Sequence, residues 1–298
     1  MLNFKPIELR DKKIIQSYTG IHACRDCNWS FANLIAWQFK TRSCYAFYKD
    51  RLIVRFEWGE KAPCYMICFD HGDLTEVVRV IEQEAEERNE ELCIHGAFPH
   101  MENAVNAAFP GKFEFINKRN YADYIYNRHD LVELKGKNYQ PKRNHVNKFV
   151  KTYPYEYVEL REEDLDLCRD MERKWYERNG LEQEESVINE RKALEYMLTH
   201  YGELELIGGS LRVDGKMVAF SIGSQITEDT IDIHMEKADI DYSGSYAAIN
   251  KEFVSRLPEK YIYVNREEDL GISGLRKAKL SYYPVLLLEK GRAVKKSR

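Results

Sequence analysis

Between Ile231 and Pro284 the chain changes its hydrophobic period several times in quick succession, and that order limits the fold more than any other feature. Ile231, Ile233 and Met235 alternate with Asp232, His234 and Glu236. A period of two predicts a strand with the three polar residues on one face and the three apolar ones in the core. The turn Tyr242-Ser243-Gly244-Ser245 then leads into apolar positions at helical spacing, Tyr246, Ile249, Phe253, Val254 and Leu257. Free N–H groups at such a helix start suit an anion, which makes Gly244 and Ser245 candidate ligand contacts. A second strand, Tyr261 to Arg266, is followed by the acidic turn Glu267-Glu268-Asp269. A short helix comes next, with Arg276, Lys277 and Lys279 opposite Gly271, Gly274, Leu275 and Ala278.

Upstream, residues 1 to about 40 read as helical, with aromatic core after Cys24 and Cys27. Strand-like runs follow at Cys44–Tyr48, Leu52–Glu57 and Cys64–Phe69. A helix from Asp73 to Glu91 turns an acidic face to solvent. A strand at Leu92–His95, a helix around Met101–Ala108, and strands near Phe113–Ile116 and Tyr121–Tyr126 complete a mixed α/β unit. Further on come two helices, at about Glu163–Arg178 and Val187–Tyr201. The second is followed by a hairpin turning at Asp214-Gly215. The tail GRAVKKSR reads as a frayed basic end.

Composition narrows the function classes. With 298 residues, 44% hydrophobic and 32% charged, the chain has enough apolar material for two packed domains. A net charge of -4 excludes a globally basic nucleic-acid binder, so any such binding needs a local patch. Residues 134–153 supply one: Lys135, Lys137, Lys142, Arg143, Lys148 and Lys151 occur there without a single acid, interleaved with Tyr139, Phe149 and Tyr153. That composition suits phosphate binding by Lys142 and Arg143 beside a stacking ring, and equally a solvated helix linking two domains.

Seven cysteines without an export signal suggest reduced thiols and a cytoplasmic chain. Cys24 and Cys27 lack a second pair for zinc and read as small core thiols, and no metal is expected. His95 and His100 read as edge histidines near a loop. No apolar run approaches the ~20 residues of a membrane helix, so a lipid acceptor would be met from the water side, by peripheral contact.

The phrases NREEDLGISGLRKAKLSYYP, HMEKADIDYSGSYAAIN and LKGKNYQPKRNHVNKF resemble a tandem-GNAT bacterial family. That family is related to the C-terminal domain of lysyl-phosphatidylglycerol synthases and to Fem-type aminoacyl-tRNA transferases. The resemblance covers nearly the whole chain. It implies an α/β fold of the α+β type: two GNAT-like domains in tandem, with mixed, mostly antiparallel sheets flanked by helices. Residues 1–130 would be a non-catalytic copy, and residues 131–298 would hold the basic linker helix and the active cleft.

The same resemblance implies that the strands Asp232–Lys237 and Tyr261–Arg266 splay around an acyl carbonyl, with backbone N–H groups stabilising its oxyanion. His234, Glu236 and Glu267 are then the candidate catalytic residues. Asn265, Arg266, Lys277, Lys279 and Tyr282 join Gly244, Ser245, Lys142 and Arg143 as candidate substrate contacts. Arg266 should face a carboxylate from Glu267, Glu268 or Asp269, or enter the cleft to meet a substrate anion.

Coenzyme A binding in GNAT enzymes uses a basic residue or Gln, two residues, Gly, one residue, then Gly or Ala. Here Asp241 and Tyr246 occupy the first and last places, and a carboxylate repels a pyrophosphate. The expected donor is therefore aminoacyl-tRNA, bound through its acceptor end, ahead of acyl-CoA, with no tightly held cofactor. The acceptor would be a small molecule, a peptide or a lipid headgroup, and a monomer suffices. A catalytically silent tandem-GNAT module is the reading from another functional class.

Overall fold

Two seven-stranded sheets organise the computed structural model, which describes residues 2–22, 25–57, 63–69, 73–97, 99–180 and 183–296. Cys24 lies outside the described residues, as does the side chain of His100. In chain order the strands begin with β1 (Lys5–Pro6), β2 (Cys44–Tyr48), β3 (Arg51–Phe56), β4 (Cys64–Ile67), β5 (Cys93–Ala97), β6 (Phe113–Asn117) and β7 (Asp123–Asn127). They continue with β8 (Tyr155–Glu159), β9 (Ile207–Val213), β10 (Lys216–Thr227), β11 (Thr230–Ala238), β12 (Tyr263–Asn265), β13 (Leu286–Leu288) and β14 (Gly291–Lys295).

Written in matching directions, the sheets are β1-β2-β3-β4-β5-β14-β6 and β8-β9-β10-β11-β12-β7-β13. In each, one pair among the described strands is parallel, β4 with β5 and β11 with β12, at the same place in the order. The remaining pairs are antiparallel. This is the mixed, mostly antiparallel architecture expected of two GNAT-like halves.

The sixth place in each sheet is exchanged. Strand β7, from the first half, lies between β12 and β13, while β14, from the end of the chain, lies between β5 and β6. Two expectations are thereby corrected. The strand near Tyr121–Tyr126 completes the second sheet and not the first. The start of the GRAVKKSR tail is not frayed, because Gly291–Lys295 is an interior strand with Ala293 fully buried, while Ser297 and Arg298 lie outside the described residues. Each strand has ladder partners on both sides, so its backbone groups are satisfied in the other half of the molecule. The division after residue 130 is crossed by both strands.

Three apolar clusters fill the layers. One packs the helices Thr75–Glu87 and Pro99–Ala108 on the first sheet through Val78, Ile81 and Val105. Another packs the helices Gln140–Thr152 and Ser245–Arg256 on the second sheet through Phe149, Ala248 and Phe253. The third joins the halves: Trp29, Phe31, Ile35 and Tyr45 meet Leu194, Phe220, Ile222 and Met235. Turn chemistry follows the sequence, with Asp214 and Gly215 both at positive φ in the hairpin and Gly180 ending the helix Leu165–Asn179 in the left-handed region.

Candidate active site

Strands β11 and β12 pair over only three residues, Thr230, Ile231 and Asp232 opposite Tyr263, Val264 and Asn265. Beyond that point β11 continues to Ala238 against β10, while the chain leaves β12 for the acidic turn. The two strands part, and the edge of β11 facing the gap has no ladder partner there among the described residues.

A bulge divides what lines this gap. Pairing with β10 passes from Ile222↔Met235 to Gly223↔Ile233, so His234 is an extra residue. An extra residue reverses the alternation that follows it. Ile231 and Ile233 therefore pack in the cluster under the helix Ser245–Arg256, while Met235 packs in the central one. Asp232 and Glu236 fall on opposite sides of the sheet, which corrects the expectation of one polar face. Gly223 permits the bulge: a Cβ there would lie 2.3 Å from the Asp232 carbonyl oxygen.

The side facing the helix Phe31–Ala36 is acidic. The His234 side chain is 2% exposed, with Nε2 2.8 Å from Ser224 Oγ. Its Nδ1 lies 3.4 Å from Asp232 and 3.5 Å from Glu267. Asn33 Nδ2 donates to Glu267 (2.9 Å), Asp232 (3.2 Å) and the Cys27 carbonyl (3.1 Å). Glu267 retains 30% exposure, so it is the carboxylate here that solvent reaches. Asn265 aims it, accepting the Glu267 N–H at 2.6 Å while its own amide donates to Asp123 (2.9 Å) and the Arg25 carbonyl (2.8 Å). With no exposed surface, Asn265 positions this site and does not line it.

Behind these residues Lys290 is fully buried, 2.7 Å from Asp123, 2.6 Å from Glu268 and 3.3 Å from Asp26. Cys27 belongs to this charged cluster and not to an apolar core: its thiol donates to Asp123 at 3.3 Å and lies 3.4 Å from Lys290. Asp123 opens β7 and Lys290 immediately precedes β14, so their ion pair sits where the two exchanged strands cross.

Among the described residues, Asp26, Asp123, Asp232, Glu267 and Glu268 thus face the ion pairs of Lys290, the nearby charge of Lys279 and a histidine. Burial, reinforced by the Glu267 and Asp123 charges, pushes the Asp232 carboxyl well above its usual range. Burial also raises Glu268 to about 7, and raises Asp26. Burial opposes the charge on Lys290, but the surrounding carboxylates outweigh it. One oxygen of Asp232 and one of Asp26 have no hydrogen-bond partner among the described residues. Such a pocket is short of positive charge and suits an incoming cation. Asp232, His234 and Glu267 are spaced closely enough to hold a metal ion, although the Asn33 N–H already occupies both carboxylates.

The other side of the gap is cationic. Arg266 Nη2 lies 2.7 Å from Glu236 Oε1, and Asn250 donates to the second Glu236 oxygen at 3.2 Å. The carboxylate partner of Arg266 is therefore Glu236, across the gap, and none of the three neighbours in sequence. Asp269 is spent on Arg276, Arg119, the Tyr124 hydroxyl and the Gly271 N–H. Arg266 Nη1 is buried without a partner among the described residues. Its guanidinium lies 5.0 Å from the Tyr282 ring and 5.8 Å from Tyr126. Lys142 Nζ lies 3.9 Å over the same Tyr282 ring, its pKa lowered to about 8 by burial and by Arg266. Two cations face one carboxylate here.

Other sequence candidates have structural duties. Lys279 Nζ fastens the acidic turn by donating to the carbonyls of Arg266 (2.6 Å) and Glu268. Arg143 closes the start of its own helix on the carbonyls of Leu134 and Gly136 and on Gln140. Gly244 is pressed on the helix Gln140–Thr152, where a Cβ would lie 2.2 Å from the His145 carbonyl oxygen. Ser243 N–H donates to Tyr153, Ser245 Oγ donates to the Asp239 carbonyl, and Asp241 pairs with Arg178 at 2.7 Å. The glycine turn is thus filled by protein, against the expectation of an anion site. Lys277 is exposed on the helix Ser273–Leu280. Asn33, Asp123, Ser224 and Lys290 were not among the sequence candidates, and Glu268 was one only as a partner for Arg266. The one signal is polarity in apolar surroundings, at Asn33 and most clearly at Asp123 beside Tyr124, Ile125 and Tyr126.

Two sheets that each carry one parallel pair at the same place in the strand order, with helices on their faces, define a tandem GNAT-like α/β protein. A sequence profile described as phosphatidylglycerol lysyltransferase, C-terminal, matches residues 21–290, and the chain belongs to that family. A conserved protein of unknown function from Bacteroides thetaiotaomicron is 45% identical, with a TM-score of 0.96 over 99% of this chain and 100% of that one. The C-terminal domain of a putative lysylphosphatidylglycerol synthetase from Agrobacterium fabrum shares the fold at 14% identity, with a TM-score of 0.65 over 96% and 93% of the two chains. FemX shares it at 9% identity, with a TM-score of 0.62 over 98% and 97%. An uncharacterised Mycoplasmoides gallisepticum protein is 24% identical over 56% of this chain, which spans about half, 54%, of that relative's length. Among the described residues no helix is long and apolar enough to cross a membrane.

Proposed function

We propose that the protein transfers an aminoacyl group from aminoacyl-tRNA to an amine or a lipid hydroxyl, in the gap between β11 and β12. The observation that carries this reading is the opposite charge of the gap's two sides. An aminoacyl ester of tRNA is a cation and an anion joined by a reactive carbonyl. Its ammonium suits the carboxylates around Asp232 and Glu267, and its phosphates suit Arg266 and Lys142. Between them the unpaired edge of β11 offers backbone N–H groups to the developing oxyanion.

In the reaction the acceptor nitrogen or oxygen bonds to the ester carbonyl carbon. Its proton passes to Glu267, with His234 behind it. The carbon–oxygen bond to the tRNA ribose then breaks, and that oxygen takes up the proton that Glu267 received. Glu236 is saturated by Arg266 and Asn250, and it orients the guanidinium. An acyl-CoA donor fits less well, since the turn that would cradle its pyrophosphate is filled by the helix Gln140–Thr152 and flanked by Asp241. Family membership and the FemX likeness agree with a transferase on this frame.

Purified protein incubated with tRNA charged with labelled amino acids, and with phosphatidylglycerol vesicles or small amines, should give a labelled ester or amide. The product should vanish when the tRNA is deacylated beforehand. Transfer from acyl-CoA with none from charged tRNA would overturn the proposal.

A further inference from the structure

The segment from Leu270 to Leu286 has a surface that the chemistry of the gap does not explain. Leu270, Ile272, Leu280, Tyr283, Val285 and Leu286 are each more than two-fifths exposed. The helix Ser273–Leu280 within it buries none of its residues. Beside it lies a groove of about 500 Å³ between Gly271, Arg276, Lys277, Leu280 and Tyr283. Isolated exposed apolar side chains are ordinary, but a run of six in one segment marks an interaction surface.

Charge adds a second, independent mark. In a chain of net charge -4, residues 270–286 contain Arg276, Lys277 and Lys279 and no acid. They adjoin the acid-free basic segment 134–153: Tyr139 donates to the Tyr282 carbonyl at 3.1 Å, the rings of Tyr139 and Tyr283 meet at 5.4 Å, and Lys142 covers Tyr282. Arg276 and Lys279 are committed to Asp269 and to carbonyls, whereas Lys135, Lys137 and Lys277 are exposed.

We propose that this face docks on an anionic lipid bilayer, with the aliphatic side chains in the headgroup–acyl boundary and the lysines against lipid phosphates. Apolar side chains beside exposed lysines are the composition of an interfacial binding surface. Single-stranded RNA would call for stacking rings, and this face offers mostly aliphatic groups. A second copy packed symmetrically would bring like charges together. The face is continuous with the cationic side of the gap, because Lys279 and Tyr282 belong to the same segment. The proposal deepens the lipid-acceptor branch of the function proposed above and rests on that reading only for its purpose. Vesicle binding is measured without donor or turnover, so either can fail alone.

The test is co-sedimentation of the full chain with phosphatidylcholine vesicles, with and without phosphatidylglycerol. It compares wild type with the double variants Ile272→Ser/Leu280→Ser and Lys135→Glu/Lys277→Glu, each checked for an unchanged thermal melt. Wild type should bind the anionic vesicles and not the neutral ones, and each variant should bind roughly tenfold more weakly, since two surface lysines or two inserted aliphatic groups are lost. Absence of binding to anionic vesicles, or binding unaffected in both variants, would overturn the proposal. So would loss, in these variants, of tRNA binding or of self-association by wild type that ignores vesicles, which would assign the face to RNA or to a second copy.

Discussion

The two parallel pairs occupy equivalent places in their sheets but are filled by different chemistry. Strands β4 and β5 pair at Tyr65↔Ile94 and Met66↔His95, with Cys64 and Cys93 touching beside them. His95 lies between interior strands and not at an edge. It packs against Phe56 at 5.4 Å, and burial, aided by Lys290 and Arg292, lowers its pKa to about 3, so it is neutral. The gap between β11 and β12 holds Asp232, His234, Glu267, Glu236 and Arg266. One frame thus serves as packing in the first half and as a polarised cleft in the second. The difference arises from side chains and one bulge, since the strand order is the same.

The largest expected effect sharpens this contrast through stability. Lys290→Met leaves Asp26, Asp123 and Glu268 without their cation and should cost about 3–5 kcal/mol in denaturant unfolding, the range for breaking a buried ion pair. His95→Leu in the first sheet should stay within about 1 kcal/mol, because Nδ1, one of the two ring nitrogens it removes, is buried without a partner among the described residues. Comparable losses for both would erase the distinction.

Next comes Arg266→Lys, which keeps the charge but loses the planar fork that spans Glu236 and the open edge. Turnover should fall about 10²-fold, the scale for losing one well-placed transition-state donor, with little change in melting temperature. A large fall in melting temperature with intact turnover would make Arg266 part of the scaffold.

A smaller effect concerns pH. Lys142 is charged below its pKa of about 8 and neutral above it, so donor affinity should weaken as pH rises through about 8. Lys142→Arg keeps its charge at every pH in that range and should abolish this limb while retaining binding. If the limb persists in the variant, another group titrates and Lys142 only packs on Tyr282.

Much of the frame was legible in the sequence, since period-two runs, a hairpin at Asp214-Gly215 and the helix stop at Gly180 are local signals. Both strands of the splayed pair were legible too, and two of the candidate residues, His234 and Glu267, come within 3.5 Å of each other. What was hidden is non-local. The bulge at His234 depends on how β10 meets β11, and only Gly223 hints at it. The GRAVKKSR segment looks like a solvated tail because its strand partners, β5 and β6, lie some 170–200 residues earlier. Lys290 and Asp123 acquire meaning only once the exchanged strands cross.

The most direct measurement is a crystal soaked with a non-hydrolysable aminoacyl-adenosine analogue, beside a second crystal soaked with coenzyme A. The analogue should lie between β11 and β12, with its ammonium at Asp232 and Glu267 and its phosphate side toward Arg266, and coenzyme A should leave that gap empty. An analogue bound between β4 and β5, or coenzyme A seated at Gly244, would contradict the assignment of aminoacyl transfer to the second gap.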